Sequence, residues 1–404
     1  MKQFITLIII LFSFYHTFSQ VHVFTDPAYR AEAEKGLDLT YSMDFDKADA
    51  VFLKLKNQYP DHPAGYFLLG FNRYWQIYMS DTMKELYPEA LNYLETALKK
   101  NEPLEDDPSY YQEFVFFEFM SHALMARLYS LQKSWMSAVN SARKIISPMK
   151  KSLKLVGEAP EFYFIAGMYN YYVATYHKAY PVVRPFLVFF PDGDEALGLE
   201  QMEKAGSIKN IAQHEATFFL IYIYLDEINQ PAKGLRTTAS LYREFPKNTW
   251  IKVDYGRALY KNKKYEEGYK ILSEVESDFQ SIPGHSTKNI TTLTSRYPTF
   301  MMIKVYHYMG LLAMYKDHDF RKAMDYFELS NKMARIADVE QDNYLAGNEY
   351  YKGVCFDNLS QREKAIAAYK KTLDMEENSM YKDDAKKYIK SPHLISQETN
   401  SSSR

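Results

Sequence analysis

Cysteine is almost missing from this 404-residue chain: Cys355 stands alone, so no disulfide forms within it. A fold without disulfides is held by packing, which a long helical array achieves and a small secreted domain usually does not. Long apolar runs are also scarce. A bilayer span needs about 20 apolar residues. Beyond the N-terminal residues the longest runs, such as "ATFFLIYIYL" at 216–225, are half that length. There is no Gly-rich phosphate loop and no G-x-S-x-G elbow, and "HEATF" at 214 lacks the second His of a zinc helix. Neither sign of charge dominates, with 49 Lys and Arg against 51 Asp and Glu, and no basic tract stands out. That balance gives no electrostatic reason to expect nucleic acid.

The chain is 47% hydrophobic and 25% charged, which suits two compact domains or one elongated repeat array. Its aromatic fraction of 16%, with 36 Tyr, supplies side chains that are apolar along the ring and polar at the tip. The start, "MKQFITLIIILFSFYHTFSQ", has a basic Lys2, an apolar stretch from Phe4 to Tyr15, and small residues Thr17 and Ser19. This is the pattern of a secretory signal peptide over 1–19, with cleavage expected after Ser19. Removing it takes away one charge, Lys2, and moves the net charge from −2 to −3. With no Cys near that bond, a lipid-modified N-terminal Cys is excluded.

Small residues recur in pairs twelve positions apart: Gly36/Ala48, Ala126/Ala138, Gly256/Gly268 and Gly353/Ala365, with Tyr222/Gly234 as a pair whose first member is large. Apolar side chains surround them at helical spacing, as in Phe218, Ile221 and Leu225, or Phe52 and Leu55 after Ala48. Such stripes predict two helices joined by a short polar turn, for instance "KNKKYEE", with the small residues letting the backbones approach. Pro60 and Pro246 close units where a helix cannot continue.

These positions resemble the tetratricopeptide repeat (TPR) family, whose unit of about 34 residues carries W-x2-L-G-x2-Y, then A-x3-F, then P. Gly36, Ala48, Phe52 and Pro60 match it in the first unit, and Gly353, Ala365 and Tyr369 in the last; the family's Trp is absent throughout. The resemblance implies an all-α superhelical array (an α-solenoid) of about eight hairpins across roughly residues 28–378. The expected organisation is an N-terminal arc over 20–180, an apolar insertion over 181–194 in the fourth repeat, a C-terminal arc over 195–390, and a disordered polar tail over 391–404. "SIPGHSTKNITTLTSRYP", between the sixth and seventh units, is a long connector and the expected hinge.

The search for chemistry returns structural roles. "DHD" at 317–319 is an inter-helix turn, Asp192 or Asp194 caps the helix that follows "PDGD", and Cys355 is a core residue. No cofactor, metal ligand or catalytic cluster is expected. The TPR resemblance implies protein or peptide binding, with Phe67, Phe71, Phe219, Ile223, Tyr350 and Val354 at inner-helix positions where some relatives carry a carboxylate clamp. Packing between repeats is the competing use of these six. In "YPVVRPFLVFFPDGD", Phe186, Phe189 and Phe190 must be covered by the protein itself, by a partner, or by a membrane interface. The expected function is a non-enzymatic scaffold of the cell envelope. It has a protein or peptide partner, no nucleic acid and no transmembrane anchor after signal removal, and peripheral membrane contact is left open. The alternative is a carrier for a hydrophobic ligand or lipid held under the insertion. The signal ending "FSQ" and the Tyr-rich repeats look like those of exported Bacteroidota proteins, which implies a periplasmic or outer-membrane location.

Overall fold

The structure is a computed structural model that describes residues 21–79, 85–179, 192–281, 299–337, 343–375 and 380–395. Among the described residues the chain is helical with no strand, apart from one isolated bridge between Val156 and Ala159. It divides into two compact units, and the division falls between Gln213 and His214. Residues 41–43 and 75–86 belong to the second unit.

In the first unit the helices are α1 (Pro27–Tyr41), α2 (Phe45–Gln58), α3 (Pro63–Tyr78), α4 (Leu86–Asn101), α5 (Tyr111–Leu131), α6 (Trp135–Lys144), α7 (Ile146–Leu153), α8 (Glu161–Ala179) and α9 (Glu195–Ser207). The second holds α10 (Gln213–Tyr222), α11 (Pro231–Glu244), α12 (Thr249–Lys261), α13 (Tyr265–Gln280), α14 (Thr299–Tyr315), α15 (Phe320–Ile336), α16 (Asn343–Asn358), α17 (Arg362–Asp374) and α18 (Lys382–Lys390). The expected boundary at the insertion moves because α9 packs along α8 and so stays with the first unit.

At Gly36, Gly256 and Gly353 the small-residue pairs do form hairpin seams. The ring of Phe52 occupies the space over Gly36, and Phe327 and Tyr369 do the same over Gly310 and Gly353. In each case the knob lies four residues after the second small residue, one helical turn along α2, α15 or α17. Leu94 and Leu272 play the same part against Gly70 and Gly256. Any larger residue at these glycines would hold the two helices apart.

The turns are as regular as the seams. Lys133, Lys263 and Ser360 have φ near +59° and lie just past α5, α12 and α16. The next N–H reaches back five residues, from Ser134 to Tyr129 O at 2.8 Å, Lys264 to Leu259 O at 3.0 Å and Gln361 to Phe356 O at 2.8 Å. This is the Schellman closure of a helix end, made here without glycine. His318, within the "DHD" turn, adopts the same left-handed backbone.

Caps follow the sequence. Asp194 accepts from Leu197 N at the start of α9, Asn248 from Trp250 N and Ile251 N at α12, and Asp319 from Lys322 N at α15. Near the N-terminus Val21, Val23 and Phe24 are buried, and the Phe24 ring meets Phe116 and Phe162 edge-on.

The expected tail begins too early. His393 N donates to Asp357 at 2.8 Å, Ile395 N to Asn358 at 2.9 Å, and Asn358 Nδ2 to His393 O at 2.9 Å. Residues 391–395 are thus tied to the end of α16 by hydrogen bonds between their backbone and the Asp357 and Asn358 side chains, which a polar composition does not reveal. The run 181–191 lies outside the described residues, as do 282–298 of the connector and 396–404 of the tail.

Candidate interaction site on the second unit

The first helices of successive hairpins, α12, α14 and α16, pack side by side. Many of the side chains on these helices are polar or aromatic and are buried, and several of them pair with one another. Arg257 is buried, with Nη1 at 2.8 Å from both Asp226 oxygens, Nη2 at 3.1 Å from Asp254, and the Tyr344 hydroxyl at 3.4 Å from Nη1. Burial alone would weaken the guanidinium charge, but Asp254, Tyr344 and Asp226 outweigh it and hold the pKa well above the ordinary value. Lys261, whose pKa is lowered by burial, donates to Leu225 O and lies 3.7 Å from Asp226.

A second chain of bonds runs from His307. The Asn348 amide donates to Ser330 Oγ at 2.9 Å and to Asn331 Oδ1 at 2.8 Å, so its oxygen faces His307 Nδ1 at 2.7 Å. The imidazole therefore carries its proton on Nδ1, and burial pushes its pKa down to about 4. Asn331 continues the chain to Glu349, which also pairs with Lys352 and Lys371.

Around these lie tyrosine rings. Tyr260 meets Tyr308 at 5.4 Å, Tyr308 meets Tyr344 at 6.3 Å, and Tyr351 meets Tyr381 at 5.6 Å between centroids. Burial raises the phenols of Tyr260, Tyr308 and Tyr351 far above their usual range, so they stay neutral. Tyr381, just before α18, lies against Gly347 and seals the last hairpin. Arg257 with Asp226 and Asp254, and His307 with Asn348, thus form a largely paired polar layer among these rings.

The other end differs. α10 passes into a π-helical turn over Ile223–Glu227, and the turn bond from Gln230 N to Tyr224 O spans six residues instead of five. The α14–α15 turn also spans six, from Asp319 N to Ala313 O, and its small residues Gly310 and Ala323 stand thirteen apart. By the same count the seam residue opposite Gly234 is Ile221, which is buried. Tyr222 is therefore one step off the seam and is 50% exposed. The twelve-residue spacing concealed this, because it assumed a uniform turn. Phe219, one turn earlier on the same helix, is partly exposed.

The remaining residues proposed from sequence are placed differently. Phe67, Phe71, Ile223, Tyr350 and Val354 are buried. Phe67 stacks among Phe71, Phe116 and Phe117 and so joins α3 to α5. Tyr350 packs on Tyr381 and Tyr369. These five fill the interior and leave Phe219 as the member of the set that reaches the surface. Phe186, Phe189 and Phe190 lie outside the described residues.

No family model matches the chain, and no curated protein matches it in sequence. Solved structures resemble it weakly. The human IFIT1 dimer with PPP-AAAA is 10% identical at a TM-score of 0.39, covering 85% of this chain and 71% of that one. Yeast Tom70 is 10% identical at 0.37, covering 90% and 88%. The apo form of the quorum sensor NprR from B. thuringiensis is 12% identical at 0.30, covering 89% and 79%. The helical-hairpin array rests on the seams and turns of this chain itself, and no activity follows from these neighbours.

Proposed function

We propose that the protein is a non-enzymatic scaffold of the bacterial cell envelope that binds a protein or peptide through the exposed face of α10. The observation that carries this reading is Tyr222 with Phe219, an aromatic pair one turn apart on α10, the first exposed and the second partly exposed. Arg257 and Lys261 are engaged with Asp226, so the face offers aromatic contact and not a cationic clamp for a carboxylate. The secretory pattern of residues 1–19 supports the envelope location.

The test places a photo-crosslinking amino acid at Tyr222 in cells of the source bacterium and, as a control, at the exposed turn residue Lys263. A discrete adduct from 222 alone, recovered in the envelope fraction, is the expected result. No adduct, with the protein in the cytosolic fraction, overturns the proposal. The carrier alternative predicts a lipid-sized mass on the purified protein.

A further inference from the structure

Helix α6 is built inside out. Trp135, Val139 and Ala142 fall at i, i+4 and i+7 and share one face, with Met136 and Arg143 beside them. In a repeat array that stripe should be buried, yet it points to water. Leu131 is 42% exposed, Trp135 62%, Met136 75% and Val139 46%. Towards the protein, α6 turns Ser137, Ala138 and Ser141.

Two local features account for the inversion. Where other hairpins carry the knob, at Phe52, Leu94, Leu272, Phe327 and Tyr369, α6 has only Ala142, which is exposed. The short helix α7 then packs between α5 and α8, so the next hairpin does not cover α6. Met136 stands where the corresponding helices place solvent-facing Asp46, Glu266, Arg321 and Glu363.

Along this stretch of the chain the charge has one sign, although Glu105 reaches in to pair with Lys151. Between Glu118 and Glu158 the chain contains no Asp or Glu, although the protein as a whole is slightly acidic. This local tract escapes a whole-chain charge count. Lys133, Arg143, Lys144 and Lys154 are exposed, and none forms an ion pair among the described residues. The apolar ridge is made by Leu131, Trp135, Met136 and Val139, far fewer than the roughly 20–30 residues a side of a stable protein interface. It is also a ridge on one helix of about 15 Å. A fluid surface moulds itself to such a shape, whereas a folded partner would need a matching groove.

From this geometry we infer that α6 docks the protein on an anionic lipid surface. Trp135, Met136 and Val139 enter the headgroup boundary while Lys133, Arg143 and Lys144 meet lipid phosphates. The docking is peripheral, because among the described residues no helix is long and apolar enough to cross a membrane. It involves residues of the first unit, whereas the α10 face belongs to the second.

The chain reports on this by itself. Of its three Trp, Trp75 and Trp250 are buried, so Trp135 dominates any fluorescence change at the surface. The full chain is mixed with vesicles of phosphatidylethanolamine and phosphatidylglycerol, and in parallel with phosphatidylcholine alone. Emission should shift to the blue and be quenched by brominated lipid with the anionic vesicles, and the shift should shrink at high salt. R143E/K144E should weaken binding by at least about tenfold. M136S/V139S should reduce the shift while leaving the far-ultraviolet dichroism unchanged. Both variants keep residues 1–19, so binding through that apolar stretch cancels in the comparison.

Equal binding to neutral vesicles, or no shift with anionic ones, overturns the inference. So does a shift given by poly-L-glutamate and not by vesicles, which would assign the face to an acidic polypeptide. A dimer in solution with Trp135 shielded from iodide would assign it to a second copy.

Discussion

Replacing the left-handed turn residues by glycine should make the protein more stable, against the usual rule that glycine weakens a helical protein. Lys133, Lys263 and Ser360 hold φ of 59°, 59° and 58°. Their side chains are exposed and, among the described residues, make no hydrogen bond or ion pair, so nothing but the Cβ is lost on substitution. A Cβ in this region costs about 1–2 kcal/mol, and glycine's extra freedom in the unfolded chain returns about 0.5–1 kcal/mol of that. The net gain is about 0.5–1 kcal/mol at each site. The three residues sit in different hairpins, so K133G/K263G/S360G should gain roughly 1.5–3 kcal/mol. Urea unfolding followed by circular dichroism reads this as a higher midpoint at unchanged slope. K263A is the decisive control, because alanine keeps the Cβ and should gain nothing. K270G, within α13, should lose about 1 kcal/mol. If K263A stabilises as much as K263G, or if the triple variant is weaker than the parent, the strain argument is wrong.

Three further outcomes follow from buried polar groups. R257M removes the buried cation that pairs with both Asp226 and Asp254, leaving only Lys261 beside Asp226, and should cost about 3–5 kcal/mol in urea unfolding. His307 titrates near 4 when folded and near 6.5 when unfolded, so its contribution is complete above pH 6.5. It fades as pH falls towards 4, by up to about 3 kcal/mol. H307Q should flatten stability between those values, measured as the urea midpoint against pH. Cys355 is buried and its thiol is pushed up to about 12 by burial, so a thiol reagent should label the native protein only as fast as it opens.

Much of the architecture was legible because it depends on contacts that repeat. The pairing of Gly36 with Ala48 announces a close helix seam, and Phe52 one turn later is the ring that fills it. A cap at Asp192 or Asp194, which the structure assigns to Asp194, and Cys355 as core could also be read from their neighbours in sequence. Tyr222 could not be read so. Its exposure depends on one extra residue in the turn after α10, and that residue leaves the twelve-residue spacing to Gly234 intact while shifting the seam to Ile221.

The stripe of α6 shows the other limit of periodicity. Trp135, Val139 and Ala142 have the spacing of a core face, and amphipathic pattern alone assigns them to the interior. Which way such a face turns depends on what lies beside it, and here the short α7 takes the place of the covering helix. The pattern thus carried the information that a packing surface exists, and the tertiary neighbours decided that the chain does not use it on itself. The same logic works in reverse for Phe67, Phe71 and Tyr350, whose inner-helix positions suggested a groove and whose neighbours fill it with rings. Periodicity therefore locates faces and leaves their occupants to be settled by packing.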